Sequence, residues 1–281
     1  MSMKKYILGL LVMLMTLPMV GMESSWQTHF AYNSVEVIAN CPQEIYALAN
    51  GAIFSVNKTT EAMTLYNNKS GLHGTSVCFL MYDEEREQLL IMYSDGKMDI
   101  QYNGTMHYIS DLYNKRMTSS KKCNNITIHD KFAYLSMDFG IIVFDLEKHE
   151  FKETYYIGEE ASEVKVTDVM FYGDSIYAQT KNKNYSACIH DNVVDFHFWK
   201  VCTALPRPFD TKKGKEYTMQ DGDVWKVAGE KGVFRKFITG EEAYYLPDGP
   251  QVNTPYNMTF ERGRWYVVPG GRWANQNNAA G

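Results

Sequence analysis

Four residues within one short stretch, Cys188, His190, His197 and Cys202, carry the side chains that zinc prefers. Their spacing, C-x-H-x6-H-x4-C, fits no established finger pattern, and cysteines of an exported chain compete for one another. A disulfide between Cys188 and Cys202 on adjacent strands is therefore the expectation ahead of a metal site, and no cofactor is expected. A second cluster, Asp83, Glu84, Glu85 and Glu87, has the groups for acid and base work on a glycosidic bond. Catalytic carboxylates must face each other across a pocket, whereas these four crowd one charged turn between apolar runs, so solvation of the turn is the stronger reading. No GxSxG elbow, P-loop or HExxH is present, and the Gly270–Gly271 pair lacks a GxGxxG context. Nothing in the chain demands an enzyme. Rings beside a cation remain: FHFW at Phe196–Trp199 and GGRW at Gly270–Trp273, equipment for contact with a sugar or an anionic lipid. Trp199, Arg272 and Trp273 are the candidate ligand-binding residues, packing between repeats being the competing role for FHFW.

The elements that must position these groups repeat. An apolar residue stands five positions ahead of a turn at Tyr46 and Gly51, Ile91 and Gly96, Leu135 and Gly140, Tyr177 and Asn182, and Tyr266 and Gly271. Tyr46, Ile91, Leu135 and Tyr177 fall 45, 44 and 42 residues apart, and the next interval of 89 spans two periods with a blurred copy at Val224–Phe234. Each unit adds a feeder strand before the hairpin and another strand after it, as in SVCFLMYD, LLIMYSDGKMDIQY and TMHYIS. Within KMDIQY, Met98, Ile100 and Tyr102 alternate with Asp99 and Gln101, the period of a strand. Four strands at such a fixed period predict an all-β propeller of six units, the last incomplete, where a β-sandwich needs no constant spacing. Thr203–Gln220, with two prolines and Lys212, Lys213 and Lys215, reads as a longer connection between the fourth and fifth units. An incomplete last unit leaves an open strand edge. Either an N-terminal strand such as VEVIA closes it, or the chain is a truncated form of something longer.

The chain has 281 residues, 45% hydrophobic, enough to bury a core, and its 20 tyrosines and 14 phenylalanines favour strands. Residues 1–21 read as a secretory signal, with Lys4 and Lys5 before an apolar run, leaving 22–281 as the propeller. No later stretch is long and apolar enough for a membrane span. Losing Lys4 and Lys5 takes the formal charge from −5 to −7, which argues against nonspecific nucleic-acid binding. Five cysteines, Cys41, Cys78, Cys123, Cys188 and Cys202, leave at least one unpaired.

The order of SSWQTHFAYNSVEVIA, IYALANGAIFSVN, LYNNKSGLHGTSVCFLMYD, LLIMYSDGKMDI and RWYVVPGGRW resembles the PorZ N-terminal β-propeller domain family of the type IX secretion system of Bacteroidota. The resemblance covers about Ser24 to Trp273, and its most specific part runs from SGLHGTSV to YSDGKMDI. It implies an exported, noncatalytic docking module at the periplasm or cell surface. The implied partners are a sortase-like protein of the secretion machinery and anionic lipopolysaccharide. Family members continue into a second propeller and a secretion domain beyond the length seen here. Sensor propellers of two-component regulators share the SGL and glycine-hairpin pattern, and a glycan-acting enzyme on a propeller scaffold is the reading from another class.

Overall fold

The computed structural model describes residues 29–251, 253 and 255–269; the signal assigned to residues 1–21 lies outside them. The strands make five four-stranded antiparallel sheets and one two-stranded ribbon, all meanders. The first sheet is β1 (Val35–Asn40), β2 (Glu44–Ala49), β3 (Ala52–Asn57) and β4 (Met63–Tyr66). The second is β5 (Val77–Asp83), β6 (Gln88–Tyr93), β7 (Met98–Tyr102) and β8 (Thr105–Ile109), followed by the one-turn helix α1 (Asp111–Asn114). The third is β9 (Cys123–His129), β10 (Phe132–Met137), β11 (Gly140–Asp145) and β12 (Glu150–Tyr155). The fourth is β13 (Val166–Tyr172), β14 (Ser175–Thr180), β15 (Asn184–Cys188) and β16 (Lys200–Cys202). The fifth is β17 (Glu216–Thr218), β18 (Val224–Val227), β19 (Val233–Lys236) and β20 (Glu242–Tyr245), and the ribbon is β21 (Pro255–Glu261) with β22 (Arg264–Pro269).

This is the propeller the repeat predicts. Five four-stranded units are complete among the described residues, and a two-stranded ribbon follows them where the repeat expects a sixth. The Asn50–Gly51 turn between β2 and β3 has φ of 49° and 81°, the left-handed pair that a two-residue hairpin requires and that asparagine and glycine tolerate best. Strands two and three of a unit lie between neighbouring sheets and are buried on both faces: in β2 and β3 no residue is exposed. The outermost strand meets solvent, as Met63 and Leu65 of β4 do.

A repeated irregularity refines the pattern. Each of β1, β5, β9, β13 and β21 slips register at its second residue: Glu36, Cys78, Asn124, Thr167 and Tyr256 are the extra residues. Such a bulge increases local twist and re-aims the side chain it carries.

The first strands stand innermost and pack on one another, β1 on β5, β5 on β9 and β9 on β13. The fifth sheet packs against the first. Val35 donates to the Gly229 carbonyl at 3.1 Å, just as Val77 donates to the Gly51 carbonyl at 2.9 Å, so the fifth sheet precedes the first as the first precedes the second. One apolar cluster, with Tyr32, Ile38, Phe54 and Trp225, fills that seam. VEVIA does not close the last unit, because those residues form β1 and pair with β2. Nor is Thr203–Gln220 wholly a connection, since β17 lies within it.

Candidate functional site

Thr127 and His129 on β9 and Asp168 and Phe171 on β13 face a cavity of about 280 Å³, closed on its other side by the connection from Arg207 to Lys213. The connection is held in place by charge and by backbone. Lys213 Nζ lies 2.5 Å from Asp168 Oδ1 and donates to Thr127 Oγ1 at 2.7 Å. The Thr127 hydroxyl in turn donates to the Val169 carbonyl at 2.7 Å. Beside Lys213, the Gly214 carbonyl accepts the Ile38 N–H at 2.7 Å, and a side chain at Gly214 would meet Val37 at 3.2 Å and Phe79 at 3.7 Å. Two consecutive residues therefore touch the innermost strands of four sheets, which places the connection across the propeller axis. Asp168 is 6% exposed, and removing Lys213 would strand its charge, a loss on the order of 3–5 kcal/mol for a buried pair.

The cavity wall is aromatic. The His129 ring stacks on Phe171 at 4.0 Å and 6°, Tyr134 meets Phe171 edge-on at 4.7 Å, and an Arg207 Nη donates to the Phe171 carbonyl at 3.4 Å. Asp168 is committed to Lys213, and Asp210 accepts the Lys212 N–H at 2.9 Å. Asp168 is thereby tied to the connection, while Asp210 is exposed at its edge.

A second constellation lies on the second sheet. Asp99, wholly buried, accepts from the Tyr93 hydroxyl at 2.5 Å and the His73 backbone N–H at 2.9 Å, and its other oxygen lies 2.8 Å from His73 Nδ1. The exposed His73 ring stacks on Tyr108 at 4.6 Å. Burial, with the Asp99 charge adding to it, pushes the Tyr93 hydroxyl far above the ordinary phenol range. Here the carboxylate fastens the SGLHG loop onto the sheet.

Trp199 is buried between the third and fourth sheets, 7% exposed, with its indole N–H donated to the Val193 carbonyl at 2.8 Å and its ring 6.2 Å from Tyr155. Packing has consumed both its face and its polar edge. Arg272 and Trp273 lie outside the described residues. The Cys188–Cys202 pairing is corrected: β15 and β16 register Asn184 with Cys202 and Ser186 with Lys200, so Cys188 sits four positions along the ladder from the residue opposite Cys202. At about 3.3 Å per residue that is roughly 13 Å, beyond the ~7 Å Cα limit of a disulfide. His190 instead lies 3.6 Å from Asp174 and His197 2.7 Å from Asp195, and among the described residues no group of three potential ligands gathers around a metal position. In the acidic turn, Asp83 is buried and takes Arg86 at 3.4 Å and Gln88 at 3.2 Å, while Glu85 stays exposed. Asp83 thus anchors the turn.

Residues 45–200, more than half of the chain, match the type IX secretion PorZ N-terminal β-propeller domain. The chain belongs to that family. PorZ of Porphyromonas gingivalis, described as an essential bacterial surface component of the type IX secretion system, has a similar structure, with a TM-score of 0.71 and 21% identity. The alignment covers 89% of this chain but only 43% of that one, so this chain spans less than half the length of its structural relative. The extracellular domain of a hybrid two-component system from B. thetaiotaomicron follows at a TM-score of 0.48 and 12% identity, over 75% of this chain and 27% of that one. Among curated proteins none matches by sequence. The PorZ match takes in the sheet side of the cavity, from Thr127 to Phe171, and the SGLHG loop with Asp99, but stops short of Arg207 and Lys213. Lys212, Lys213 and Lys215 in an otherwise acidic chain were the available signal for the connection, though nothing in their spacing says that they cross an axis.

Proposed function

We propose that this chain is an exported, noncatalytic docking module of type IX secretion, acting at the periplasm or cell surface. Its partners would be a sortase-like component of the machinery and anionic lipopolysaccharide. The observation that carries the reading is the PorZ family match over residues 45–200. The axial cavity supports it, with an aromatic wall, the Arg207 guanidinium at its rim and Asp168 paired with Lys213. No helix of the described residues is long and apolar enough to cross a membrane. Arg272 and Trp273 are proposed as further ligand contacts.

The test is recovery from intact envelope. Tagged chain incubated with solubilised envelope is expected to retain sortase and lipopolysaccharide together, and recovery of neither overturns the proposal. Loss of lipopolysaccharide with Arg207→Ala locates the contact in the axial cavity; loss with Arg272→Ala and Trp273→Ala alone moves it to the C-terminal turn.

A further inference from the structure

The bulge at the second residue of each innermost strand has a geometric consequence for two cysteines. In the third sheet the bulge residue is Asn124, and its side chain reaches across the seam to donate to the Val166 carbonyl, first residue of the next innermost strand, at 2.9 Å. Cys78 holds the same place in the second sheet, and Cys123 is the first residue of the innermost strand that follows. The Cys123 backbone N–H favours the Cys78 thiolate against the burial that opposes it, which sets the two residues beside each other across the seam.

The Cys123 side chain points back into the same seam. Val166, its counterpart one sheet later, packs against Ile141, Val143 and Tyr155 of the preceding sheet, and Cys123 is likewise wholly buried in the cluster shared by the second and third sheets. Both thiols are free in the structure, and that of Cys123 donates to the Asn125 carbonyl at 3.2 Å, yet it stands near enough to Cys78 across the seam for the two groups to interact electrostatically. Cys188 and Cys202, by contrast, are out of register with each other.

We propose that Cys78 and Cys123 form a disulfide that staples the second sheet to the third. The bond forms when one thiolate attacks an external disulfide, such as that of a dithiol oxidoreductase, and the second thiol displaces the mixed disulfide. The external disulfide takes up two electrons and two protons and leaves as two thiols. Burial pushes the Cys78 thiol up to about 12 and raises that of Cys123 as well, so the folded seam exchanges slowly. The staple therefore closes during folding, before the seam is buried. The proposal rests on the export reading only for where oxidation happens in the cell.

Full-length chain is refolded with oxidised and reduced glutathione, remaining thiols are alkylated, and a non-reducing tryptic digest is analysed by mass spectrometry. Cleavage after Lys69, Arg86, Lys122 and Lys131 puts Cys78 and Cys123 on separate peptides with one cysteine each. The expected result is a single linked species joining Ser70–Arg86 to Cys123–Lys131 as the main form of both. Recovery of the two as separate alkylated peptides, or linkage of either mainly to another cysteine, overturns the proposal. Reduction of the oxidised chain should lower Tm by roughly 5–15 °C, the range for a staple closing a loop of one sheet in a domain of this size. Cys78→Ala, at a bulge position that accepts Glu36, Asn124 and Thr167 elsewhere, should fold and show a Tm indifferent to reductant. A drop of equal size in that variant also overturns the proposal. Linkage after refolding, without linkage in chain alkylated at lysis of the native envelope, counts against export and leaves the geometry standing.

Discussion

At the scale of single residues, buried polar groups in this propeller tie sheets together. Gln88 shows how. Its amide N–H groups go to Asp83 at 3.2 Å and to the Leu146 carbonyl of the third sheet at 3.1 Å, so its oxygen must accept the His149 Nε2–H at 2.7 Å. That bond needs a donor at Nε2, and burial, together with the nearby His107 ring, holds His149 below the ordinary histidine value, with Asp145 opposing weakly. The sign follows from proton counts. Below about pH 6.5 the unfolded chain binds a proton at this residue that the folded chain resists, so stability is whole above that pH and falls as pH drops toward the depressed folded value. Urea unfolding at pH 7.5 and 5.5 should show a loss on acidification that is smaller in His149→Gln, which has no such proton to take up. An unchanged pH slope in the variant would remove His149 from this role. Little of this was legible in the sequence. Asp99 reads as the polar half of an alternating strand, yet both faces of a middle strand are covered here, so the polar alternate is buried and must find partners. The Tyr93, His73 and Asp99 contacts depend on a loop returning over the sheet, which strand periodicity does not encode.

Among the elements, the hairpins were legible because each imposes a backbone demand on one residue at a fixed place. Gly140 shows such a demand: φ is 152°, and an added Cβ would collide with the Tyr155 carbonyl oxygen of the paired strand β12. Gly104, in the turn between β7 and β8, also has positive φ, 72°, but nothing within 4 Å of a Cβ. The pair separates backbone strain from steric exclusion. Gly104→Ala should cost about 1 kcal/mol. Gly140→Ala should cost about 3 kcal/mol or more, because β11 or β12 must move to admit the methyl. Equal losses in urea unfolding would mean that the third sheet relaxes freely around position 140. The bulges, by contrast, left no trace in the repeat: one extra residue at the same position of β1, β5, β9 and β13 leaves the interval between units unchanged. The expected Cys188–Cys202 bond failed for another reason: pairing depends on where β15 and β16 start and stop, and strand ends are where periodicity is weakest.

For the whole molecule, the ring order was hidden because contacts between chain-distant sheets have no local signature. β1 and β18 are nearly two hundred residues apart, yet they share one core: Trp225 and Tyr245 pack in the same cluster as Ile38, Ala47 and Phe54. Arg235 reinforces the seam. It sits 4.0 Å from the Phe237 ring centre, pairs with Asp223 at 2.6 Å, and donates to the Lys58 carbonyl of the first sheet at 2.9 Å. A short sheet such as the fifth, whose β17 has three residues, has little apolar surface of its own to bury, so most of its protection must come from the first sheet. This makes cooperativity follow the ring and not the chain. Phe54→Ala deletes a side chain with no exposed surface and should cost roughly 3–5 kcal/mol. Hydrogen exchange should then show faster opening of amides in β18 and β19 to nearly the same extent as in β2 and β3. Exchange in the fourth sheet, next to the fifth in sequence but not packed on Phe54, should respond less than either. Loss of protection confined to the first and second sheets would show instead that the fifth sheet carries its own stability, and that its contact with β1 is a surface touch.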